Sequence, residues 1–267
     1  MPELPEVETI RRNLKDKLIN KKIIDVKVLY PNMIMTNLND FINNIKNQTI
    51  IDIKRRGKWL MFELDNYYLL SHLRMEGRYI FRDNDELNKH EHVIFYLNDN
   101  TNLRYKDTRK FGRMYLLDKE DIYNKKPLCD LGLEPSDLTL NYLKSKFKNK
   151  KIPIKTVLLD QSILVGIGNI YDDEILFKSG INPNRLASSL NDSDINNIIK
   201  YTNLILEDAI KNNGTTIRSY EATEGTKGSN QNNLLVHTKD ICPKCNSKLI
   251  KEKISGRSTY YCNKCQI

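Results

Sequence analysis

Cys242-Pro-Lys-Cys245, followed after sixteen residues by Cys262-Asn-Lys-Cys265, is the stretch that says most about the fold. Two Cys-x2-Cys pairs at this separation are typical of a four-thiolate zinc site, built on two knuckles that a β-hairpin joins. Four protein ligands leave no open coordination position, so we expect one structural zinc ion without a catalytic role. The fifth cysteine, Cys129, lies far from the others and is expected to be a buried or inert thiol.

The segment that carries these cysteines, Asn233 to Ile267, is basic, with seven Lys/Arg and two Asp/Glu. It stays basic after a zinc–thiolate centre has contributed its negative charge, and it therefore suits contacts with phosphates. Arg257 lies at the tip of the predicted hairpin. The residues alone leave open whether Arg257 is functional or an ordinary solvated turn residue.

The whole chain is basic as well, with 43 Lys/Arg against 34 Asp/Glu and a net charge of +9 over 267 residues. This balance favours a polyanionic partner and argues against acidic peptides or small acidic metabolites. No apolar run approaches the roughly 18 residues that cross a bilayer. The first nine residues contain three glutamates where a secretory signal would be positively charged. We therefore expect a soluble, cytoplasmic protein.

The N-terminal half is predicted to be rich in strands. Apolar residues at spacings of three and four predict an amphipathic helix over Glu3–Leu18. β-Branched and aromatic runs between Asn, Asp and Gly then predict six strands: Ile23–Leu29, Thr49–Lys54, Trp59–Leu64, Tyr67–His72, His92–Leu97 and Leu103–Lys106. Asn98-Asp99-Asn100 is typical of a hairpin turn. Short consecutive strands favour an antiparallel sandwich or barrel.

The C-terminal half has a helical period instead. Helices are predicted over Thr156–Gln161, Ile170–Lys178 and Asp192–Asn212. Residues 221–233 have no apolar side chain larger than Ala222, which predicts a mobile loop. The fold class is thus α+β and multidomain, with an antiparallel sandwich or barrel over 1–132, a linker that begins as a short helix over 133–150, a helical domain over 151–232 and the zinc finger over 233–267.

The N-terminus offers unusual chemistry. If Met1 is removed, Pro2 becomes a secondary amine with an appreciable neutral fraction at pH 7, and such an amine forms an iminium with a sugar aldehyde. The alternative, which composition alone favours, is that Pro2 and Pro5 merely open a helix.

Three basic clusters, Arg55–Lys58, Lys106–Arg113 and Lys146–Lys155, together suggest a nucleic-acid surface, although a solvated face is favoured for any one of them alone. His90-x-His92 makes a poor metal site, so a phosphate contact or a satisfied core histidine is favoured for each. Backbone N–H groups at Gly166–Tyr171, which precedes a predicted helix, suit a phosphate, but the stretch has no dinucleotide fingerprint.

Taken together, these segments resemble the bacterial formamidopyrimidine-DNA glycosylases. The resemblance runs the whole length of the chain. It is carried by these stretches: Met1-Pro-Glu-Leu-Pro-Glu-Val-Glu-Thr9, Arg56-Gly-Lys58, His72-Leu-Arg-Met75-Glu-Gly77, Lys89-His90-Glu-His92, Asp107-Thr-Arg109-Lys-Phe111-Gly112, Leu131-Gly-Leu-Glu-Pro135, Leu158-Leu-Asp-Gln161, Gly166-Ile-Gly-Asn-Ile-Tyr171, Ile181-Asn-Pro183, Gly214-Thr-Thr216 and Gly256-Arg-Ser-Thr-Tyr-Tyr-Cys262.

The resemblance implies a β-sandwich with an N-terminal helix, a helix-two-turns-helix domain and a C-terminal zinc finger. It implies excision of oxidised purines, 8-oxoguanine and formamidopyrimidines, followed by strand cleavage. Pro2 would form the Schiff base and Glu3 would act as general acid. Lys58 would hold a phosphate and donate the proton of β-elimination, and Arg257 would serve δ-elimination.

The family also implies how DNA is held. Met75, Arg109 and Phe111 would fill the void left by the flipped base. His90, Lys150 and Asn169 would contact DNA, and the loop at 217–232 would close over the extruded base. The implied partner is damaged double-stranded DNA, bound by a monomer.

Two segments depart from the family pattern. Gly228-Ser229-Asn230 stands where many relatives have Gly-Tyr-Phe, and the connection 236–239 is shorter. Fewer aromatic contacts are thus offered to a flipped base, which bears on lesion preference. Two alternatives stay open: an endonuclease VIII-like glycosylase for oxidised pyrimidines, disfavoured by Leu4 and by the Arg109-x-Phe111 pair, and a non-enzymatic zinc protein that binds nucleic acid, which would not require Pro2-Glu3.

Overall fold

The fold was described from a computed structural model that covers residues 1–84, 86–215 and 228–267. Contacts divide the described chain into two compact units. The first comprises Met1–Cys129, and the second comprises Asp130–Thr215 with Ser229–Ile267. No helix in these described ranges is long and apolar enough to cross a membrane.

The first unit contains two helices and eight strands. In chain order they are α1 (Leu4–Leu18), β1 (Ile23–Val28), α2 (Leu38–Ile45), β2 (Asp52–Arg56), β3 (Trp59–Glu63), β4 (Tyr67–His72), β5 (Arg78–Arg82), β6 (Glu91–Leu97), β7 (Asn102–Lys106) and β8 (Arg113–Asp118). They form two four-stranded antiparallel sheets, the first ordered β2-β3-β4-β8 and the second ordered β1-β6-β7-β5. Both sheets and α1 contribute to one apolar core, so the unit is a sandwich with an N-terminal helix.

The predicted helix and all six predicted strands are present, with ends that differ by a few residues. Asn98–Asn100 joins β6 to β7 as predicted. Three elements were missed, namely α2, β5 and β8. Strand β5 was missed because arginines close both of its ends, while α2 did carry a signal, with Asn37 as N-cap and apolar residues at 38, 41, 42 and 45.

The second unit is helical and ends in a hairpin. Its elements are α3 (Leu140–Phe147), α4 (Ile154–Leu158), α5 (Asn169–Ser179), α6 (Asp192–Lys211), β9 (Ile250–Ile254) and β10 (Arg257–Tyr261). Helix α6 packs against α3 and α5, and β10 packs against α5. Asn191 caps α6 by accepting a hydrogen bond from the N–H of Asp194 at 2.9 Å. Single-turn 3-10 segments also occur along the chain: Pro31–Met33, Leu128–Asp130, Pro135–Asp137, Ala187–Ser189 and Asn230–Asn232.

The stretch 133–150, expected to be a linker that begins as a short helix, contains α3, whose Leu143 and Phe147 are fully buried. Its bounds as a linker stay a prediction. Two expectations change. The thiol of Cys129 is exposed rather than buried. Lys155 does not belong to a solvated basic face, because its side chain is completely buried. The other proposed domain boundaries stay predictions.

The predicted mobile loop at 221–233 lies largely outside the described residues, as does most of the segment 217–232. Its described end forms a 3-10 turn, in which Asn230 is buried and donates a hydrogen bond to Thr215 Oγ1 at 3.0 Å. The last residues of this stretch are therefore folded onto the helical unit.

Candidate active site

Strand register brings several predicted site residues to one end of the sandwich. In the first sheet, Arg56 pairs with Trp59 across the turn that carries Lys58. Trp59 pairs with His72, and His72 pairs with Arg113. The turn with Lys58, the end of β4 and the start of β8 therefore lie side by side.

The second sheet brings its own turns to this end. Arg78 at the start of β5 pairs with Lys106 at the end of β7, and Lys106 also pairs with Glu91 at the start of β6. Two segments cross from sheet to sheet here. We call residues 73–77, between β4 and β5, the Met75 loop, and residues 107–112, between β7 and β8, the Phe111 loop.

Helix α1 directs the N-terminus towards the same end. Its last turn is tied to the start of β2 by Lys15 Nζ and Asp52 Oδ1, 2.6 Å apart. One turn earlier, Arg11 donates to the carbonyl of Ile53 at 3.2 Å. Near the helix start, the Arg55 guanidinium reaches Glu8 at 3.4 Å. The helix and β2 thus run antiparallel, so that Pro2 and Glu3 lie beside the turn with Lys58.

The chain start has the electrostatics of a buried amine. Pro2 and Glu3 are buried, and the Glu6 carboxylate accepts the N–H of Glu3 at 2.8 Å. Burial lowers the pKa of the Met1 amine, the nearby Glu3 and Glu6 carboxylates act to raise it, and the Lys58 ammonium lowers it further. The pKa of the Met1 amine is thus held below the ordinary value of an α-amine.

The three residues predicted to fill a DNA void project from the two loops. Met75, Arg109 and Phe111 are all exposed, Phe111 to 44%, so Phe111 is not a core residue. The Arg109 guanidinium lies over the Phe111 ring, 4.7 Å from its centroid. The buried Asp107 carboxylate accepts the N–H groups of Arg109 and Gly112, at 3.0 and 2.8 Å. Asp107 therefore fixes the backbone on both sides of Phe111.

The histidines at this end have separate surroundings. His92 is buried, and its Nε2 lies 2.9 Å from the carbonyl oxygen of Asp107, so it is a satisfied core histidine. His90 is half-buried with φ 71°, and partial burial with the charges of Lys89 and Lys106 lowers its pKa. His72 is deeply buried, and burial lowers its pKa to about 3. Its neutral Nδ1 accepts the N–H of Arg74 at 2.9 Å.

The second unit gathers the four cysteines. The sulfur atoms of Cys242, Cys245, Cys262 and Cys265 lie within 4.8 Å of one another, with pairs at 3.8 and 3.5 Å. A tetrahedral zinc ion with bonds of about 2.3 Å separates its thiolates by about 3.8 Å. Four thiolates with this spacing fit a structural metal ion.

Arg257 follows the hairpin turn directly and is exposed, as predicted. Ser255 and Gly256 form the turn, with φ angles of 48° and 79°. Two side chains of the helical unit hold the hairpin on either side of Arg257. Thr156 Oγ1 lies 2.8 Å from Ser255 Oγ, and Asn169 Nδ2 donates to the carbonyl of Ser258 at 2.7 Å.

Lys150 is exposed just beyond α3. Asn169 is the first residue of α5 and directly follows the N-cap residue Gly168. It therefore lies at the N-terminal end of the helix, towards which the backbone N–H groups point. Gln161 braces this turn, because it accepts the N–H of Gly166 at 2.9 Å and donates to the carbonyl of Ile167 at 3.0 Å. The structure thus places Asn169 against the hairpin that carries Arg257.

A buried charged cluster under the zinc hairpin was not predicted from the sequence. Lys155 Nζ contacts carboxylate oxygens of Asp172 and Asp173 at 2.8 and 2.7 Å, and Asp173 contacts His237 Nδ1 at 2.7 Å. Glu174 accepts the N–H groups of residues 235–237 at 2.8–2.9 Å. Three consecutive acidic residues inside a buried helix were the available signal.

Comparisons with known proteins give similarity to one enzyme family along the chain. Residues 1–114 match the formamidopyrimidine-DNA glycosylase N-terminal domain, residues 131–221 the H2TH domain of the same enzymes, and residues 240–267 the zinc finger found in FPG and IleRS. A formamidopyrimidine-DNA glycosylase of Bacillus cereus is 46% identical over 273 residues, covering 100% of this chain and 99% of that protein.

Solved structures of Lactococcus lactis FPG are similar in fold. A variant bound to DNA that contains Fapy-dG superposes with a TM-score of 0.94 at 36% identity, and a complex with abasic-site DNA gives 0.93 at 36%, each covering 99% of both chains. The chain is thus a sandwich, H2TH and zinc-finger protein. It belongs to the formamidopyrimidine-DNA glycosylase family.

Proposed function

We propose that this chain is a bifunctional DNA glycosylase and abasic-site lyase, which excises oxidised purines from double-stranded DNA in the bacterial cytosol. The observation that carries the proposal is the meeting of the chain start, Glu3 and Lys58 beside the Met75 and Phe111 loops. Relatives of the family that were solved with Fapy-dG and abasic DNA support the substrate class.

The chemistry begins at Pro2, once Met1 has been removed. The neutral secondary amine attacks C1′ of the damaged nucleotide, and the bond between C1′ and the base breaks with its electron pair leaving on the base. Glu3 delivers a proton to the sugar ring oxygen or to the leaving base. The attached nitrogen loses its proton, and the C1′–O4′ bond then breaks with its electron pair on O4′, which takes up a proton. The product is an iminium that links Pro2 to C1′ of the opened sugar.

Strand cleavage follows from the iminium, which acidifies the proton on C2′. Loss of that proton drives expulsion of the 3′ phosphate in β-elimination, and a second proton loss expels the 5′ phosphate in δ-elimination. Lys58 grips a phosphate and donates the proton of the first step. Arg257 on the zinc hairpin grips the backbone and serves the second step.

The exposed loop residues serve base extrusion. Met75 and Phe111 are apolar wedges that occupy the space of the flipped base, and the Arg109 guanidinium faces the orphaned cytosine. His90, Lys150 and Asn169 contact the DNA. The net charge of +9 supports a phosphate-binding surface, and a monomer suffices for these roles.

We assign the thiolate cluster to one structural zinc ion, held by Cys242, Cys245, Cys262 and Cys265. When bound, zinc links the two ends of the hairpin and adds no catalysis. The hairpin residues themselves present Arg257, while Thr156 and Asn169 hold the strands on either side of it.

Borohydride trapping tests the proposal across a panel of duplexes with 8-oxoguanine, formamidopyrimidine and an oxidised pyrimidine. We expect a covalent protein–DNA adduct with the two purine lesions and a weaker one with the pyrimidine. Trapping mainly on the pyrimidine would favour the endonuclease VIII-like alternative. Binding without any adduct would leave only a zinc protein that binds DNA.

A further inference from the structure

The Met75 and Phe111 loops end in the same way. Between buried Leu73 and buried Gly77, three consecutive residues are exposed; between buried Asp107 and buried Gly112, four are exposed. Each loop thus projects its side chains outward and returns to the sandwich at a buried glycine. The two glycines precede β5 and β8, which belong to different sheets.

Both glycines lie against one atom, the hydroxyl oxygen of Tyr105. A Cβ built on Gly77 would lie 2.0 Å from this oxygen, and a Cβ built on Gly112 would lie 1.9 Å from it. These separations are far below van der Waals contact, so no side chain fits at either position while the hydroxyl is in place. Tyr105 therefore separates the two loops like a spacer.

The tyrosine itself is rigidly placed. Tyr105 lies in β7 and is fully buried. Its ring packs edge-to-face on Tyr79, with centroids 5.3 Å apart, and Tyr79 packs likewise on Phe62 at 5.6 Å. A row of three aromatic rings through the sandwich core thus supports the hydroxyl.

We propose that Tyr105 is a positioning residue, which sets the separation of Met75 from Arg109 and Phe111 and thereby controls discrimination of the base opposite the lesion. The inference rests on the function proposed above for these three side chains. Met75 projects from one loop, and Arg109 and Phe111 project from the other, so their fit to a DNA void depends on how far apart the loops are held. Loss of the oxygen that both glycines contact lets the loops shift and weakens the match between Arg109 and the opposite base.

The test compares Tyr105→Phe with Tyr79→Phe. Both changes remove one hydroxyl from a fully buried tyrosine of the same core, and the two residues are paired neighbours on β5 and β7. The Tyr79 hydroxyl, however, donates to Ser71 Oγ at 2.8 Å instead of reaching the two loops. The control therefore matches the chemical change and the burial of the altered ring.

The readout is kcat/KM for excision of 8-oxoguanine opposite cytosine, divided by that opposite adenine. We expect Tyr105→Phe to lower this ratio by about tenfold, the discrimination that one well-formed base contact supplies, and Tyr79→Phe to leave it unchanged. Cleavage of an abasic site in single-stranded DNA needs no void filling and should be the same in both variants. Equal ratios in the two variants would overturn the inference.

Gly112→Ala gives a second route that leaves the tyrosine intact. Its methyl group meets the hydroxyl from the loop side, so it should lower the same ratio while single-stranded cleavage persists. An unchanged ratio would overturn the inference even if Tyr105→Phe fails to fold. If the wild-type chain excises neither purine lesion, the proposed function fails; if it excises them and the variants match the control, only the role of Tyr105 fails.

Discussion

The sandwich end and the zinc hairpin position their functional side chains by different physical means. In the sandwich, backbone ladders place Lys58, the Met75 loop and the Phe111 loop, and three buried groups support the loops: the neutral His72, the Tyr105 hydroxyl and the Asp107 carboxylate. In the hairpin, two short strands cannot hold Arg257 alone. Thiolates, buried charges and two side-chain contacts from the helical unit do so.

The comparison shows that the size of a folded unit determines how its functional side chains are held in place. A large sandwich buries enough apolar surface to fix its loops through packing, whereas a module of some 35 residues needs cross-links or a metal. Disturbances of the hairpin should therefore act through charge and chelation, and disturbances of the sandwich end through shape and protonation. Four measurements test whether the two regions are supported in these different ways.

Metal removal should have the largest effect. Structural zinc contributes about 10–16 kcal/mol of apparent binding free energy to small modules, so chelation should unfold the hairpin and abolish DNA binding. Trp59 is the single tryptophan of the chain and is buried in the sandwich, which makes its fluorescence a probe of the first unit. Loss of DNA binding with unchanged Trp59 emission is expected. A red-shifted emission on chelation would contradict the separation of the two supports.

The substitution Lys155→Met should have the next largest effect. It leaves Asp172 and Asp173 buried without their cation, which costs about 3–5 kcal/mol of the free energy of unfolding. Lys144→Met is the matched control, because Lys144 pairs with Asp192 on the surface and the pair contributes at most about 1 kcal/mol. Urea titrations monitored by far-UV circular dichroism measure both. Equal losses would show that the buried cluster does not support the second unit.

Protonation of His72 should weaken the sandwich end. Its pKa in the folded chain is about 3 against 6.5 in the unfolded chain, so the unfolded state takes up the proton first as the pH falls. The contribution is complete above pH 6.5 and decreases below it, by about 2 kcal/mol between pH 6.5 and 5. His72→Gln keeps an acceptor for the Arg74 N–H and should remove this part of the pH dependence. Parallel stability–pH curves for both proteins, followed by Trp59 fluorescence, would refute the assignment.

The smallest expected effect is that of Thr156→Val, which removes one hydroxyl contact beside Arg257. A single exposed hydrogen bond contributes about 0.5–1 kcal/mol, so the zinc content and overall stability should barely change. The fraction of abasic DNA that proceeds from β- to δ-elimination should decrease severalfold. Ser258→Ala, which removes an exposed hydroxyl from the same hairpin, is the control. An equal decrease in that variant would show that Thr156 does not position Arg257.

The sequence predicted most of the sandwich because its strands carry strong β-branched and aromatic runs. It could not predict which ends of those strands meet, since that required β5 and β8, and neither was recognised. The candidate residues at the sandwich end were named from motifs and resemblance. Their common location follows from register alone, through pairs such as His72 with Arg113 and Arg78 with Lys106.

The helical unit was predicted less completely. Lys155 ends a lysine-rich stretch, and its burial against α5 depends on tertiary packing that local composition does not show. Tyr105 likewise looks like any strand tyrosine in the sequence. Its contact with two glycines, 28 and 7 residues away along the chain, becomes visible only when both loops are placed.

The most direct test of the account is to identify the residue that becomes covalently attached to DNA. An 8-oxoguanine duplex would be trapped with borohydride, the complex digested, and the cross-linked peptide sequenced by mass spectrometry. We expect a chain that begins at Pro2, with the sugar remnant on the Pro2 nitrogen. Attachment at the neighbouring Lys58, or a trapped protein that retains Met1, would contradict it.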